Sequence, residues 1–172
     1  LTRLLDEILD LSFLESGQVK LNISTLRLNE ILRTALQSTQ QTIANSNALL
    51  EFNEDFTNTE IQTDPDRLSQ VFINLITNAF KYNDNNRPIL KISCEIKGAF
   101  LLVSFQDNGP GIPKAEHTII FEKFTRLNNT ENTSGVGLGL AISQEIMKNL
   151  RGSISCLESK IGANFQVQIP LD

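Results

Sequence analysis

The chain has 172 residues and a formal net charge of −5, so it is long enough for one domain with a substantial core plus a short appended element. It has no run rich in lysine and arginine, and we expect no nucleic-acid partner, because affinity for nucleic acid comes mainly from clustered cations that neutralise phosphates. No apolar run approaches the roughly 18 residues that cross a bilayer and no N-terminal segment looks like a signal peptide, so we expect a cytoplasmic location without membrane contact by these residues.

The first 17 residues predict a helix of the bundle type. Apolar residues recur there at helical spacing, and they are Leu1, Leu4, Leu5, Ile8 and Leu11. Leu9 and Leu14 widen this stripe, and Gly17 follows as a stop. A stripe this wide indicates packing by several neighbours. Because the chain begins with leucine rather than methionine, we expect it to be part of a longer protein, with those neighbours upstream or in a second copy.

The next three segments predict a strand, a helix and a strand. Residues 19–24 (VKLNIS) alternate as a short strand, and residues 26–46 have the pattern of a helix introduced by Asn29 or Thr25. Residues 49–55 (LLEFNED) predict another brief strand. A second helix then has stronger local signals, because Asp64 is a capping residue, Pro65 suits the first helical position and Asp66 suits the positive end of the helix dipole. Its predicted core face consists of Leu68, Val71, Phe72, Leu75 and Ala79.

The second half of the chain predicts four strands and one helix. Residues 89–96 and 99–107 have the pattern of a hairpin that turns near Lys97 and Gly98. A helix that ends near Gly152 follows a glycine-rich stretch, and residues 153–157 and 164–170 complete the sheet. Strands and helices interleave without a regular βαβ repeat, which favours an α+β fold with a mixed sheet and helices on one face. Cys94 and Cys156 lie in separate strands without any metal-binding spacing, so we expect reduced, buried thiols.

A polar stripe runs along the helix that begins near Asp64. Asn74, Asn78 and Lys81 are spaced at i, i+4 and i+7, so they share one face beside the core. An amide oxygen suits Mg²⁺, and a lysine balances a phosphate oxyanion. A solvated polar face is an equally good interpretation of this segment alone.

One carboxylate ends a row of inward-facing residues. Period-two alternation places Leu101, Val103, Phe105 and Asp107 on one face of a strand. A buried carboxylate needs a specific donor, and an exocyclic amine on a flat ring would serve. The glycines Gly109 and Gly111 permit a close turn around a bulky group. Taken alone, an ordinary turn after a strand explains the glycines better.

Three glycines, Gly135, Gly137 and Gly139, precede the last helix. A glycine-rich loop at a helix N-terminus presents unpaired N–H groups to an anion. The segment lacks the preceding strand and the later acidic residue of a dinucleotide fingerprint, and it lacks the lysine of a P-loop.

Four motifs appear in order: NLITNAFKYN, DNGPGI, FEKFTR and GVGLGLAIS. In this order they closely resemble the catalytic, ATP-binding domain of sensor histidine kinases, within the GHKL superfamily that includes gyrase-type and chaperone ATPases. The resemblance implies a two-layer α/β sandwich with a mixed sheet. It also implies that residues 1–17 are the second helix of the dimerisation and phosphoacceptor hairpin and that residues 18–172 are the catalytic domain.

The resemblance also implies roles for individual residues. Asn78 would hold Mg²⁺, Asn74 would lie near the phosphates and Lys81 would contact the phosphate or ribose region. Asp107 would receive the adenine amine, in a purine pocket shaped by Gly109, Gly111 and Ile112. The phosphates would lie on the backbone of Gly135, Gly137, Leu138 and Gly139. Residues 114–134 would form a lid that is mobile without nucleotide, anchored by Phe121 and Phe124, and Arg126 would reach the γ-phosphate unless it is an ordinary surface arginine.

The implied reaction is transfer of the ATP γ-phosphoryl group to a histidine, in which Asn74, Lys81 and Arg126 would take part. Hydrolytic relatives carry a glutamate where this chain has Asn74, which favours transfer over hydrolysis. His117, the only histidine, does not lie in an acceptor motif, so the acceptor is expected upstream. The implied partners are the acceptor hairpin, a dimer mate and a response-regulator receiver domain, and the intact protein could be membrane-anchored. A hydrolytic ATPase, a regulatory nucleotide-binding module and a docking domain that uses Leu4, Leu5 and Ile8 remain the alternatives.

Overall fold

The computed structural model describes residues 1–52, 58–127 and 135–171, and it contains four α-helices and seven strands in these ranges. The helices are α1 (Thr2–Glu15), α2 (Leu28–Asn45), α3 (Pro65–Lys81) and α4 (Gly139–Asn149). The strands are β1 (Ser24–Arg27), β2 (Leu49–Phe52), β3 (Glu60–Thr63), β4 (Ile89–Lys97), β5 (Phe100–Asp107), β6 (Ser153–Leu157) and β7 (Asn164–Pro170). Two 3₁₀ turns cover Lys114–Glu116 and Ile119–Phe121.

The main sheet has five strands in the order β2-β4-β5-β7-β6. Only β2 and β4 pair in parallel, and the other neighbours are antiparallel. Helix α3 packs on β5 and α4 packs on β6, so the helices form a second layer over the mixed sheet. This arrangement confirms the predicted α+β sandwich, and it places the C-terminal end of β5 beside the helix layer. Among the described residues no helix is long and apolar enough to span a membrane.

Helix α3 forms as its local signals predict. The Asp64 carboxylate accepts hydrogen bonds from the backbone N–H groups of Asp66 and Arg67, both at 3.1 Å. All five predicted core residues of this helix are buried, and Phe72 packs against Phe105 of β5 with ring centroids 5.3 Å apart. The second carboxylate oxygen of Asp64 accepts from Asn22 N–H at 2.8 Å, which fastens the chain before β1 to the start of the helix.

Two predictions for the first half of the chain are wrong. The strand expected over residues 19–24 begins only at Ser24 and ends at Arg27. Helix α2 begins after Arg27, whose N–H donates to the Glu30 carboxylate at 3.1 Å, so neither Asn29 nor Thr25 introduces it. Strand β3, which the sequence did not indicate, pairs antiparallel with β1. This pairing joins segments more than 30 residues apart, and local periodicity does not reveal it.

Helix α1 lies on the helix layer with one face only. Leu11 and Leu14 belong to the same buried cluster as α3 and α4. Asp10 accepts from Arg67 at 2.9 and 3.0 Å, and the Asn149 amide donates to the Leu14 carbonyl at 3.2 Å. Leu4 is half-buried against the same cluster. The rest of the apolar stripe, which is Leu1, Leu5, Ile8 and Leu9, is exposed, as is the neighbouring Phe13. The wide stripe therefore serves one neighbour in this chain and leaves a second face open.

Candidate functional site

The carboxylate of Asp107 ends β5 in a partly buried position. Its Oδ1 atom accepts hydrogen bonds from Gly109 N–H at 2.8 Å and from Ala163 N–H at 3.0 Å. No described residue donates to Oδ2. Burial raises the pKa of this carboxyl above its ordinary 3.8, and the hydrogen bonds from Ala163 and Gly109 lower it only in part. The acid thus keeps one oxygen without a donor from the described part of the chain, in a setting that favours a donor.

Glycines line the wall around this acid. Gly162 has φ +62°, and a Cβ there would collide with the Asp107 carbonyl. Gly111 has φ +77°, and a Cβ on it would lie 3.1 Å from the Gly162 carbonyl oxygen. The backbones therefore approach more closely than side chains allow. The sequence prediction missed Gly162 and Ala163. Their signal is a glycine and a small residue directly before β7, the strand that pairs with β5.

The amide stripe of α3 faces the start of α4. The Asn74 Nδ2 atom donates to the buried Ser143 hydroxyl at 3.0 Å, and a Cβ on Gly139 would collide with the other end of the Asn74 amide. The Lys81 ammonium occupies the space that a Cβ on Gly135 would take. The structure thus brings Asn74 and Lys81 against the glycine run, while Asn78 lies half-buried on the same helix. Ser143, which holds Asn74, was also missed.

The glycine run is joined to the segment that precedes the undescribed residues. Phe124 N–H donates to the Gly137 carbonyl at 2.9 Å. Gly137 has φ +80°, and a Cβ there would lie 2.7 Å from the Thr125 carbonyl oxygen. Leu138 is buried beneath the run, and Gly139 opens α4. The backbone of residues 135–139 is therefore compact and free of bulky side chains on this side, as an anion cradle requires.

The two phenylalanines expected to anchor the lid differ in burial. Phe121 is buried and meets Phe165 edge-on at 6.3 Å. Phe124 has φ +60° and is 58% exposed, so burial lends no support to its prediction as an anchor. Arg126 is exposed. Residues 128–134, the rest of the predicted mobile lid, lie outside the described residues.

Ile112 and His117 lie in a turn between Asp107 and the glycine run at residues 135–139. The His117 ring nitrogen Nε2 lies 2.9 Å from the Ile112 carbonyl oxygen, and Ile112 packs on the core. His117 is thus part of a turn, which agrees with its predicted ordinary role. The cavity of about 670 Å³ in the described part of the molecule lies elsewhere, between α2 and β2, and none of the predicted site residues lines it.

The comparisons with known proteins agree with this geometry. Residues 63–172 match the model of the histidine kinase-, DNA gyrase B- and HSP90-like ATPase family. The chain belongs to this family. The match begins at the last residue of β3 and covers α3, the whole of the candidate site and α4. It confirms the resemblance drawn from the four motifs.

Within the family, the relatives found are sensor kinases. The chain is 35% identical over 170 residues to the sensor protein KdpD of Escherichia coli, covering 98% of this chain and 19% of KdpD. It is 30% identical to the signal transduction histidine-protein kinase ArlS of Staphylococcus aureus, covering 96% of this chain and 37% of ArlS. The chain therefore spans well under half the length of these relatives.

Solved structures confirm the fold. The isolated catalytic domain of histidine kinase ThkA has a TM-score of 0.77 and 29% identity, over 88% of this chain and 97% of that domain. ThkA solved in complex with the response regulator TrrA has a TM-score of 0.80 and 26% identity, over 99% of this chain and 48% of the ThkA chain. The sandwich architecture thus recurs in histidine kinases.

Proposed function

We propose that this chain is the ATP-binding catalytic domain of a sensor histidine kinase, which transfers the ATP γ-phosphoryl group to a histidine on an upstream helix. The observation that carries the proposal is Asp107, whose Oδ1 is fixed by two backbone N–H groups while its Oδ2 has no donor among the described residues. An exocyclic amine on a purine is the donor that fits a recessed carboxylate of this kind. Gly109, Gly111 and Gly162 let the backbone pack closely around this acid.

The other end of the site fits a triphosphate. The Lys81 ammonium beside Gly135 supplies positive charge, and the N–H groups at the start of α4 supply donors. Asn78 is the proposed Mg²⁺ ligand and Asn74 its neighbour, held by Ser143. Arg126 is the proposed contact to the γ-phosphate. When bound, magnesium and ATP supply the phosphoryl group and the charge balance for transfer. The protein positions them and excludes water.

Transfer rather than hydrolysis follows from the side chain at position 74. An amide that donates to Ser143 offers no carboxylate to activate a water molecule. The catalytic domain is proposed to comprise residues 18–172 and to follow the second helix of an acceptor hairpin, residues 1–17, in a homodimeric protein. A response-regulator receiver domain is the proposed next acceptor, as the complex of ThkA with TrrA supports. We place these reactions in the cytoplasm, with membrane anchoring left to other parts of the intact protein.

The test is titration calorimetry with ATP in the presence of Mg²⁺, on the wild-type chain and on Asp107→Asn. We expect binding by the wild type and a loss of about 10- to 100-fold in affinity for the variant, because a hydrogen bond to a charged group is removed. A second measurement adds an acceptor hairpin that carries a histidine and follows the label from γ-labelled ATP. Label on the hairpin is the expected result.

Two results would contradict the proposal. If Asp107→Asn binds ATP with the affinity of the wild type, Asp107 does not bind the purine. Steady release of inorganic phosphate without label on the hairpin would indicate a hydrolytic ATPase. The exposed Asp84→Asn serves as the matched control, because it removes the same charge three residues beyond α3.

A further inference from the structure

Three asparagines outside the proposed ligand set join the end of β5 to the connection between α3 and β4. Asn108 Oδ1 accepts from Ile89 N–H at 2.8 Å and from Asn83 Nδ2 at 2.9 Å. Asn108 Nδ2 donates to the Arg87 carbonyl at 3.1 Å. Asn85 Nδ2 donates to the Asn108 carbonyl. We call Asn83, Asn85 and Asn108 the asparagine clasp.

The clasp leaves no polar group of Asn108 without a partner. Its backbone N–H donates to the Ile89 carbonyl at 3.2 Å, which completes four partners drawn from residues 83–89. Asn83 in turn accepts from Asn85 N–H at 3.0 Å, so the connection is folded on itself before it meets Asn108. A half-buried side chain whose amide oxygen and amide nitrogen both have partners is held in one orientation.

The clasp also touches the groups that hold the proposed purine acid. Gly109, whose N–H donates to Asp107, lies between the acid and the connection. A Cβ built on it would be 3.1 Å from Asp107 Oδ1 and 3.5 Å from Asn83 Cα. Asn83 lies two residues beyond the end of α3, and its N–H donates to the Phe80 carbonyl at 3.4 Å. The clasp therefore connects the C-terminal end of α3 to Gly109, whose N–H donates to the Asp107 carboxylate.

We propose that Asn108, through the clasp, is a positioning residue that sets the orientation of Asp107 and hence the selectivity of the site for a purine with an exocyclic amine. This inference rests on the proposed function and adds a determinant of base selectivity to it. Loss of Asn108 frees the connection and allows Gly109 N–H to move away from Asp107 Oδ1. Contacts to the triphosphate, which come from α3 and from residues 135–139, are affected less.

The experiment compares ATP with inosine triphosphate, which carries a carbonyl oxygen where adenine carries its amine. Calorimetry with Mg²⁺ on the wild type is expected to give tighter binding of ATP. In Asn108→Ala, ATP affinity should fall by about tenfold, and inosine triphosphate affinity should change much less. The ratio of the two affinities therefore moves towards one. Asn108→Thr should restore part of the ratio, because its hydroxyl can accept from Ile89 N–H and donate to the Arg87 carbonyl.

The matched control is Asn86→Ala, which truncates an exposed asparagine of the same connection that has no hydrogen bond to a described residue. It should leave both affinities unchanged. Equal losses for the two nucleotides in Asn108→Ala, with the ratio kept, would overturn the inference and leave only a structural role. If Asn108→Ala does not fold, Asn83→Ala removes two bonds, one to Asn108 Oδ1 and one from Asn85 N–H, and carries the same test. Failure of the wild type to bind ATP would instead overturn the proposed function.

Discussion

At the scale of single residues, Asp107 illustrates a conflict between folding and binding. Burial disfavours its charged form, and the hydrogen bonds from Gly109 and Ala163 compensate only in part, so its pKa lies above the ordinary value. A carboxylate kept at such a cost to stability is typical of a binding site. The cost should disappear when the charge is removed, whether by acid or by substitution.

We therefore expect Asp107→Asn to be more stable than the wild type at neutral pH. In the wild type the folded-state pKa is raised above the unfolded 3.8, so the folded state binds more protons between these two values. Its stability contribution is complete below 3.8 and is lost as pH rises through the raised pKa. The advantage of the variant should thus be largest at neutral pH and should shrink on acidification. Thermal unfolding of both proteins from pH 4 to pH 7 measures it.

Asp84→Asn is again the control, since this carboxylate is exposed to solvent and its removal should show no such trend. A variant that is less stable than the wild type at neutral pH would contradict this account.

The same residues explain what the sequence could predict. The alternation of β5 placed Asp107 in an inward row, whereas its partner Ala163 lies 56 residues away and became visible only in the fold.

At the scale of elements, predictability follows the range of the interactions that form each one. Helix α3 has its cap, its proline and its core face within one short segment, and its start and core face were predicted as the structure has them. Strands β1 and β3 have only four residues each and exist by pairing with each other, so the segment around β1 was misplaced and β3 was missed. In the site the motifs of α3, β5 and α4 were visible, but the contact of Asn74 with Ser143 spans 69 residues.

Helix α1 offers a test of an element with two unequal faces. Leu14 is 1% exposed and packs in the shared core, whereas Leu9 on the same helix is 54% exposed. We expect Leu14→Ala to lower the free energy of unfolding by about 2–4 kcal/mol, because it leaves a cavity beside α4. Leu9→Ala should change it by less than about 0.5 kcal/mol. Urea unfolding followed by circular dichroism measures both.

Hydrogen exchange of the α1 amides distinguishes two ways in which Leu14→Ala could act. Faster exchange throughout the chain indicates that α1 is part of the cooperative unit, as its burial implies. Faster exchange in α1 alone, with an unchanged unfolding midpoint, would show that the helix opens separately and would contradict the expected loss of stability.

At the scale of the whole molecule, the sheet contains two thiols whose reactivity indicates whether the sheet is folded. Cys94 in β4 and Cys156 in β6 are both free and buried. Burial raises the pKa of each thiol from 9.0 to about 11. Since only the thiolate reacts, the reactive fraction at neutral pH falls by about a hundredfold from this effect alone. The two strands lie on opposite sides of the β5–β7 pair, so together they cover most of the sheet.

Labelling of the native protein by a maleimide reagent at pH 7 should therefore be at least about a hundredfold slower than in denaturant. The variants Cys94→Ala and Cys156→Ala separate the two rates, and Ser12→Cys, at an exposed position of α1, gives the rate of an accessible thiol. Because the unfolded chain loses these protons at lower pH than the folded one, stability should also fall as pH rises above about 9. Fast labelling of either native thiol would contradict the packing of its strand.

The buried face of helix α1 has a practical consequence for anyone who shortens this protein. A version that starts at residue 18, where the motif resemblance puts the border, would lose Leu11 and Leu14 from beneath α4, together with the carboxylate that meets Arg67. The newly exposed apolar patch would make the shortened protein prone to aggregate, so the useful cutting point lies at least one helix earlier than the border suggests.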